Sequence, residues 1–222
     1  ATLCDVLPAL VRALGVDIGG PATGPDLPPA RAAALLLIDG LGHELLTAHA
    51  DDAPVLAGIA DAGPLTVGFP SSTPISLTSL GTGLPPGSHG TLGVRFRVQE
   101  ALLDALTWTE GGTDLRERLE PERIQPNPTV FERAAAAGVE VSTVSARIFE
   151  HSGLTRSGLR GGTYRGVYAL GDLAGEMLAG LRGPGPRLVY GYHADLDLLG
   201  HLHGPGSTAW RWQLRQLDHL VG

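Results

Sequence analysis

Short apolar runs that alternate with amphipathic stretches constrain the fold of this chain more than any other feature. Ala33 to Ile38, Pro64 to Val67, Val139 to Val144 and Arg187 to Tyr192 read as strands, each too brief for a stable helix and bounded by glycine or proline. Leu3 to Leu14, His43 to His49, Ala53 to Ala62, Pro74 to Leu80, Val130 to Ala137, Ala169 to Leu181 and Ser207 to Val221 read as helices. Strands separated by helices join by crossovers, which gives parallel pairing with helices on both faces. The expected fold is therefore α/β: one domain over residues 1–222, built on a doubly wound, mostly parallel sheet flanked by helices. Residues 91–165 are less regular and are expected to form a cap-like insertion. The closing helix reaches Gly222 with no strand after it, so the sheet is expected to be incomplete on its C-terminal side.

Composition narrows the partners. The net charge of −7 argues against binding a nucleic-acid backbone, which needs a basic face. All 16 basic residues are arginine, so lysine-based mechanisms are excluded. Cys4 stands alone, which rules out a disulfide framework and a cysteine zinc site. The longest apolar stretch, Ala32 to Ile38, is far shorter than the roughly 20 residues that span a bilayer. No membrane association and a cytoplasmic location are expected, and the sequence is silent on oligomeric state.

Three clusters carry side chains with chemistry. Asp39 closes the run Leu35-Leu36-Leu37-Ile38 and precedes Gly40-Leu41-Gly42. The carboxyl end of a strand is where α/β sheets hold ligands, so Asp39 either binds a cation or caps the next helix. In Phe69-Pro70-Ser71-Ser72-Thr73-Pro74, Thr73 fits a helix N-cap with Pro74 at the first helical position. The same threonine would face an anion held by helix N-terminal amides, and a metal is the simplest way to activate its hydroxyl. The third cluster, His193-Ala194-Asp195-Leu196-Asp197-Leu198-Leu199-Gly200-His201-Leu202-His203, follows the strand Arg187 to Tyr192. One helical turn puts Asp197 and His201 on the same side, a carboxylate–imidazole pair of the kind that binds zinc. A solvated polar loop is the alternative.

Taken in order, Asp39, Phe69-Pro70-x-x-Thr73 leading into Gly81-Thr82-Gly83-Leu84-Pro85-Pro86-Gly87-Ser88-His89-Gly90, and Asp197-x-x-Gly200-His201-x-x-Gly204-Pro205 resemble the nucleotide pyrophosphatase/phosphodiesterase branch of the alkaline phosphatase superfamily. The resemblance implies an alkaline phosphatase-like core and a site with two divalent ions, zinc by preference. It makes Thr73 the nucleophile, Asp39 and Thr73 ligands of one ion, and Asp197 and His201 ligands of the other. It implies hydrolysis of a small-molecule phosphate ester or nucleotide, at a phosphodiester or pyrophosphate bond. A phosphomonoesterase, phosphonate hydrolase or phosphomutase of the same superfamily, or a non-catalytic metal- or phosphate-binding module, are the other readings.

The family completes its site with an Asp-His-Gly segment and a further histidine near the C-terminus, and neither occurs here. Asp218-His219 lacks the following glycine and reads as helix surface. The chain thus matches the N-terminal portion of such an enzyme, and by itself is expected to be inactive and to bind metal weakly. Where relatives carry a phosphate-binding asparagine this chain has Gly93. His89 is expected to stabilise the loop after the Thr73 helix, His43, His49 and His151 to lie on the surface, Cys4 to be core, and Trp210 and Trp212 to pack.

Overall fold

The computed structural model describes residues 1–59 and 63–222. Its strands are β1 (Ala32–Ile38), β2 (Arg95–Val98), β3 (Ala101–Asp104), β4 (Thr109–Glu110), β5 (Thr113–Asp114), β6 (Glu140–Ala146), β7 (Thr163–Val167) and β8 (Arg187–His193). Its helices are α1 (Val6–Ala13), α2 (His43–Ala48), α3 (Pro54–Gly58), α4 (Thr73–Thr82), α5 (Pro86–His89), α6 (Pro121–Ile124), α7 (Val130–Ala136), α8 (Gly153–Gly158), α9 (Leu170–Gly180), α10 (Asp195–His203) and α11 (Thr208–Val221).

The central sheet runs β1-β8-β6-β7, with all neighbours parallel. Alternation along the strands assigns side chains to two layers. Ala33, Leu35 and Leu37 of β1, with Leu188 and Tyr190 of β8 and Val141 of β6, pack against Leu7 and Val11 of α1, Leu77 and Leu80 of α4, and Phe131 of α7. On the other face Val189, Val144 and Val167 meet Leu173 and Met177 of α9. There too, Ile38 joins Leu196 of α10 and Trp210, Leu214 and Leu217 of α11. Each fully buried leucine contributes about 1.5–3 kcal/mol by leaving water, so both layers are needed to hold the sheet. The doubly wound parallel architecture read from the sequence is the one observed.

Several local expectations change. Among the described residues β1 is an edge strand that pairs with β8 alone, and most of its residues are half-buried because no described strand covers its outer side. Pro64 to Val67 forms no strand, only a parallel bridge from Thr66 to Thr2, since the N-terminal segment and not the sheet lies beside it. The helix expected over Ala53 to Ala62 is observed as Pro54–Gly58, and residues 60–62 lie outside the described residues. Leu3 to Leu14 divides into a 3-10 turn at Leu3–Asp5 and α1.

Within residues 91–165, β2 to β5 form a separate antiparallel meander around Trp108, whose indole N–H donates to the Leu119 carbonyl at 2.7 Å. β6 and β7 are core strands of the central sheet. The sequence reading had no strand at β7. No described helix is long and apolar enough to cross a membrane.

Candidate active site

The carboxyl end of β1 is fixed by its pairing. The Asp39 N–H donates to the His193 carbonyl at 2.9 Å, extending the β1–β8 ladder by one step. The chain then turns at Gly40, whose φ of +75° suits glycine. A Cβ there would lie 2.7 Å from Asp197 Cα, so the absent side chain lets the first turn of α10 sit against the Asp39 loop. Asp39 and Asp197 are brought together by this contact, although 158 positions separate them in sequence.

Thr73 arrives on α4, after a cis Phe69–Pro70 peptide. The N-cap is Ser72, in extended conformation, with Thr73 as the first helical residue and Pro74 the second. This corrects the expected N-cap by one position: the Thr73 hydroxyl does not bond its own helix but donates to Asp39 Oδ2 at 3.1 Å. The first carbonyl bond of the helix is Ser76 N–H to Ser72 at 2.9 Å. The amides of Thr73 and Ile75 precede it and have no intrahelical carbonyl to reach. Such amides, at the positive end of a helix, favour an anion.

α4 is held along its length. Ile75 and Leu80 are fully buried, and a Cβ at Gly81 would collide with the Gly158 carbonyl, so glycine permits the approach of α8. At the far end Arg133 donates to the Thr82 carbonyl at 3.1 Å, placing a cation at the negative pole of the helix. Beneath it His89 is buried. Its Nδ1 accepts from the Thr91 N–H at 3.1 Å, which leaves Nε2–H to donate to Ser79 Oγ at 2.9 Å. Burial lowers the His89 pKa to about 4, so the ring stays neutral and structural.

The other pair lies on α10. His201 Nε2 is 3.5 Å from Asp197 Oδ2, with the imidazole mostly exposed. The pKa of Asp197 is raised, first by burial and then by the negative charge of Asp39, with His201 opposing. Tyr192, which the sequence reading missed, donates its phenol to Asp39 Oδ2 at 2.6 Å, so that oxygen receives both Tyr192 and Thr73. Burial, then Asp39, pushes the Tyr192 pKa well above that of a free phenol. Strand alternation could have found it, since Tyr192 lies two residues beyond the core residue Tyr190 on the strand beside β1.

The four expected residues therefore fall at one end of the sheet as two contacting pairs, Asp39–Thr73 and Asp197–His201. Among the described residues no group of three or more His, Cys, Asp or Glu side chains could hold a metal ion. A hollow of about 620 Å³ between α1 and residues 22–30 is lined by none of the four.

Other expectations shift. His49 is partly covered, 5.0 Å from the Trp210 ring and 3.6 Å from Asp52. Asp218 is buried and accepts from the Leu56 N–H at 2.7 Å, so it caps α3 instead of facing solvent. Trp210 is core, whereas Trp212 is exposed beneath Arg215. Cys4 is half-buried, with its thiol directed at the Leu84 carbonyl.

Residues 33–222 match the family model for type I phosphodiesterase / nucleotide pyrophosphatase. Two solved structures are similar in fold, both of murine ectonucleotide pyrophosphatase/phosphodiesterase 5. One is an inactive threonine-to-alanine variant in complex with AMP, with TM-score 0.62 and 16% identity over 87% of this chain and 51% of that one. The other has TM-score 0.59 and 18% identity over 85% and 50%. This chain thus spans about half the length of the solved relatives it resembles. No curated protein matches it in a search by sequence.

Proposed function

Because the chain belongs to the type I phosphodiesterase/nucleotide pyrophosphatase family, of the alkaline phosphatase superfamily, we propose that it forms the nucleophile-bearing part of a phosphate-ester hydrolase acting on phosphodiester or nucleotide pyrophosphate bonds. The observation that carries this reading is the Thr73–Asp39 hydrogen bond at the first turn of α4. It puts a hydroxyl, a carboxylate able to take its proton, and a set of helix N-terminal amides at one point.

Thr73 Oγ1 attacks phosphorus, the bond to the leaving oxygen breaks, and the hydroxyl proton passes to Asp39 Oδ2. A covalent threonine phosphodiester results, in which phosphorus keeps the second arm of the substrate (a nucleotidyl-threonine from a nucleotide), and water then hydrolyses it. The Thr73 and Ile75 amides bind a non-bridging oxygen, and Tyr192 keeps Asp39 turned toward the threonine. The antiparallel sheet of β2 to β5 is the part of residues 91–165 suited to act as a cap.

The family implies two divalent ions, here proposed as zinc. The donor types fit: carboxylate and hydroxyl oxygens in Asp39–Thr73, carboxylate oxygen and imidazole nitrogen in Asp197–His201. Two nearby carboxylates, one with its ionisation opposed by the other, also form a field that a cation relieves. Each pair offers two of the roughly three protein ligands that a catalytic zinc takes. When bound, the ions supply Lewis-acid stabilisation of the entering and leaving oxygens.

The test compares Thr73→Ala and Thr73→Ser in the full-length protein, assayed with zinc on a nitrophenyl phosphodiester. The alanine variant should lose several orders of magnitude in turnover and the serine variant far less. Undiminished turnover by Thr73→Ala removes the nucleophile. Gly93 stands where the family resemblance expects a phosphate-binding asparagine, which keeps a phosphomonoesterase open as the second reading; relative rates on matched mono- and diesters decide between them.

A further inference from the structure

We propose that Arg147, stacked on Tyr168, binds a second anionic group on the phosphate ester that Thr73 attacks, so that the preferred substrates carry a carboxylate or phosphate at the far end of one ester arm. This rests on the phosphate-ester reading above and names its substrate class.

Arg147 opens the 3-10 turn Arg147–Phe149, which directly follows β6, and Tyr168 directly follows β7. Both leave the sheet at the same end as Asp39, because all four strands are parallel. The order β1-β8-β6-β7, at about 4.8 Å per strand, places the tip of β6 roughly 10 Å and that of β7 roughly 14 Å from the tip of β1. That span is the length of an ester arm, not of the reacting bond.

The guanidinium carbon of Arg147 lies 5.2 Å from the centre of the Tyr168 ring, and Tyr168 is 80% exposed. A cation resting on a ring face keeps its in-plane N–H donors free, the fork that grips a carboxylate or phosphate in two places. No carboxylate occupies that fork among the described residues. Arg215 is also stacked on a ring, but Asp52 neutralises it at 2.6 Å. A stacked, solvent-facing arginine without a counter-charge stands out on a chain whose net charge is −7.

The turn is tied to the reacting centre. The Phe149 ring meets the Tyr192 ring edge-on at 6.0 Å, and Tyr192 is bonded to Asp39. Tyr164 donates its phenol to the Ala146 carbonyl at 2.8 Å, fixing the residue before Arg147. Gly166 allows the turn to lie against β7, since a Cβ there would be 3.2 Å from Arg147 Cα.

Binding of three probes, measured calorimetrically in the full-length protein with zinc, tests this: octylphosphonate, phosphonooctanoate and octane bisphosphonate. The native protein should bind one or both probes that carry a second anionic group at least about tenfold more tightly than octylphosphonate, the gain expected of one charge-assisted contact. Which of the two gains tells whether the far group is a carboxylate or a phosphate. Arg147→Gln should erase the gain and leave octylphosphonate unchanged; being exposed, this residue can be replaced without disturbing the fold. Equal affinity for all three probes, or an equal loss for all three in Arg147→Gln, overturns the inference while leaving the phosphate-ester reading intact. Failure to bind octylphosphonate at all counts against that reading, and the inference falls with it.

Discussion

The Tyr192 phenol donates to Asp39 Oδ2 at 2.6 Å, the same oxygen that accepts the Thr73 hydroxyl. Two strands and one helix meet at that atom, so the orientation of Asp39 is shared between residues far apart in the chain.

Tyr192→Phe should remove one of the two donors to Oδ2 of a partly buried carboxylate, whose Oδ1 accepts from the Gly40 N–H. Hydrogen bonds to charged groups contribute about 1.5–3 kcal/mol, and partial exposure brings the expected loss to roughly 1–2 kcal/mol. Urea unfolding should show a lower midpoint with an unchanged slope. An unaltered midpoint would show that the bond contributes nothing to stability.

Gly40→Ala should do more harm than its size suggests. The backbone at Gly40 has φ of +75°, and a Cβ would press on Asp197 Cα, which is main chain and cannot swing aside. The expected cost is about 2–4 kcal/mol, above the usual penalty for alanine at positive φ because strain and collision add. Thermal unfolding measures it, and a melting temperature equal to that of the native chain would contradict the close approach.

Stability should fall with acid through His89. Its folded pKa, lowered by burial to about 4, lies below the ordinary value of 6.5, so the unfolded chain takes up the proton first. The stabilisation is complete above pH 6.5 and declines as pH drops toward 4, with a slope approaching about 1.4 kcal/mol per pH unit. His89→Gln should flatten the stability profile across that window. A native profile already flat between those values would refute the buried neutral ring.

Zinc should bind the 222-residue chain weakly, because each donor pair supplies two ligands. Calorimetric titration should show this weak binding reduced further by Asp197→Asn and by His201→Ala. Tight binding of two equivalents, unaffected by either substitution, would place the ions elsewhere.

The periodicity of the chain was enough to predict the strands Ala32–Ile38, Glu140–Ala146 and Arg187–His193 to within one or two residues, because apolar runs bounded by glycine and proline leave few other conformations. Thr163–Val167 escaped notice because Thr163, Tyr164 and Arg165 have polar tips, and only their place beside β6 makes them a strand. Pro64 to Val67 has strand-like residues but found no sheet neighbour, which shows that propensity alone does not create a ladder. Asp197 and His201 could be paired from helical spacing. The meeting of Asp39 with Thr73 was implied only by resemblance to a family, since no local rule links residues 34 apart.

Local sequence therefore settled what depends on neighbours along the chain: the α/β alternation, the strand ends that bear Asp39 and the α10 pair, and the helix that begins near Thr73. Tertiary structure alone decided that β1 lies at the sheet edge, that the Thr73 hydroxyl turns to Asp39, and that Tyr192 reaches the same carboxylate. The division is physical. Periodicity and capping are set within one or two turns of chain, whereas strand order and side-chain contacts depend on which surfaces bury each other once the chain has collapsed.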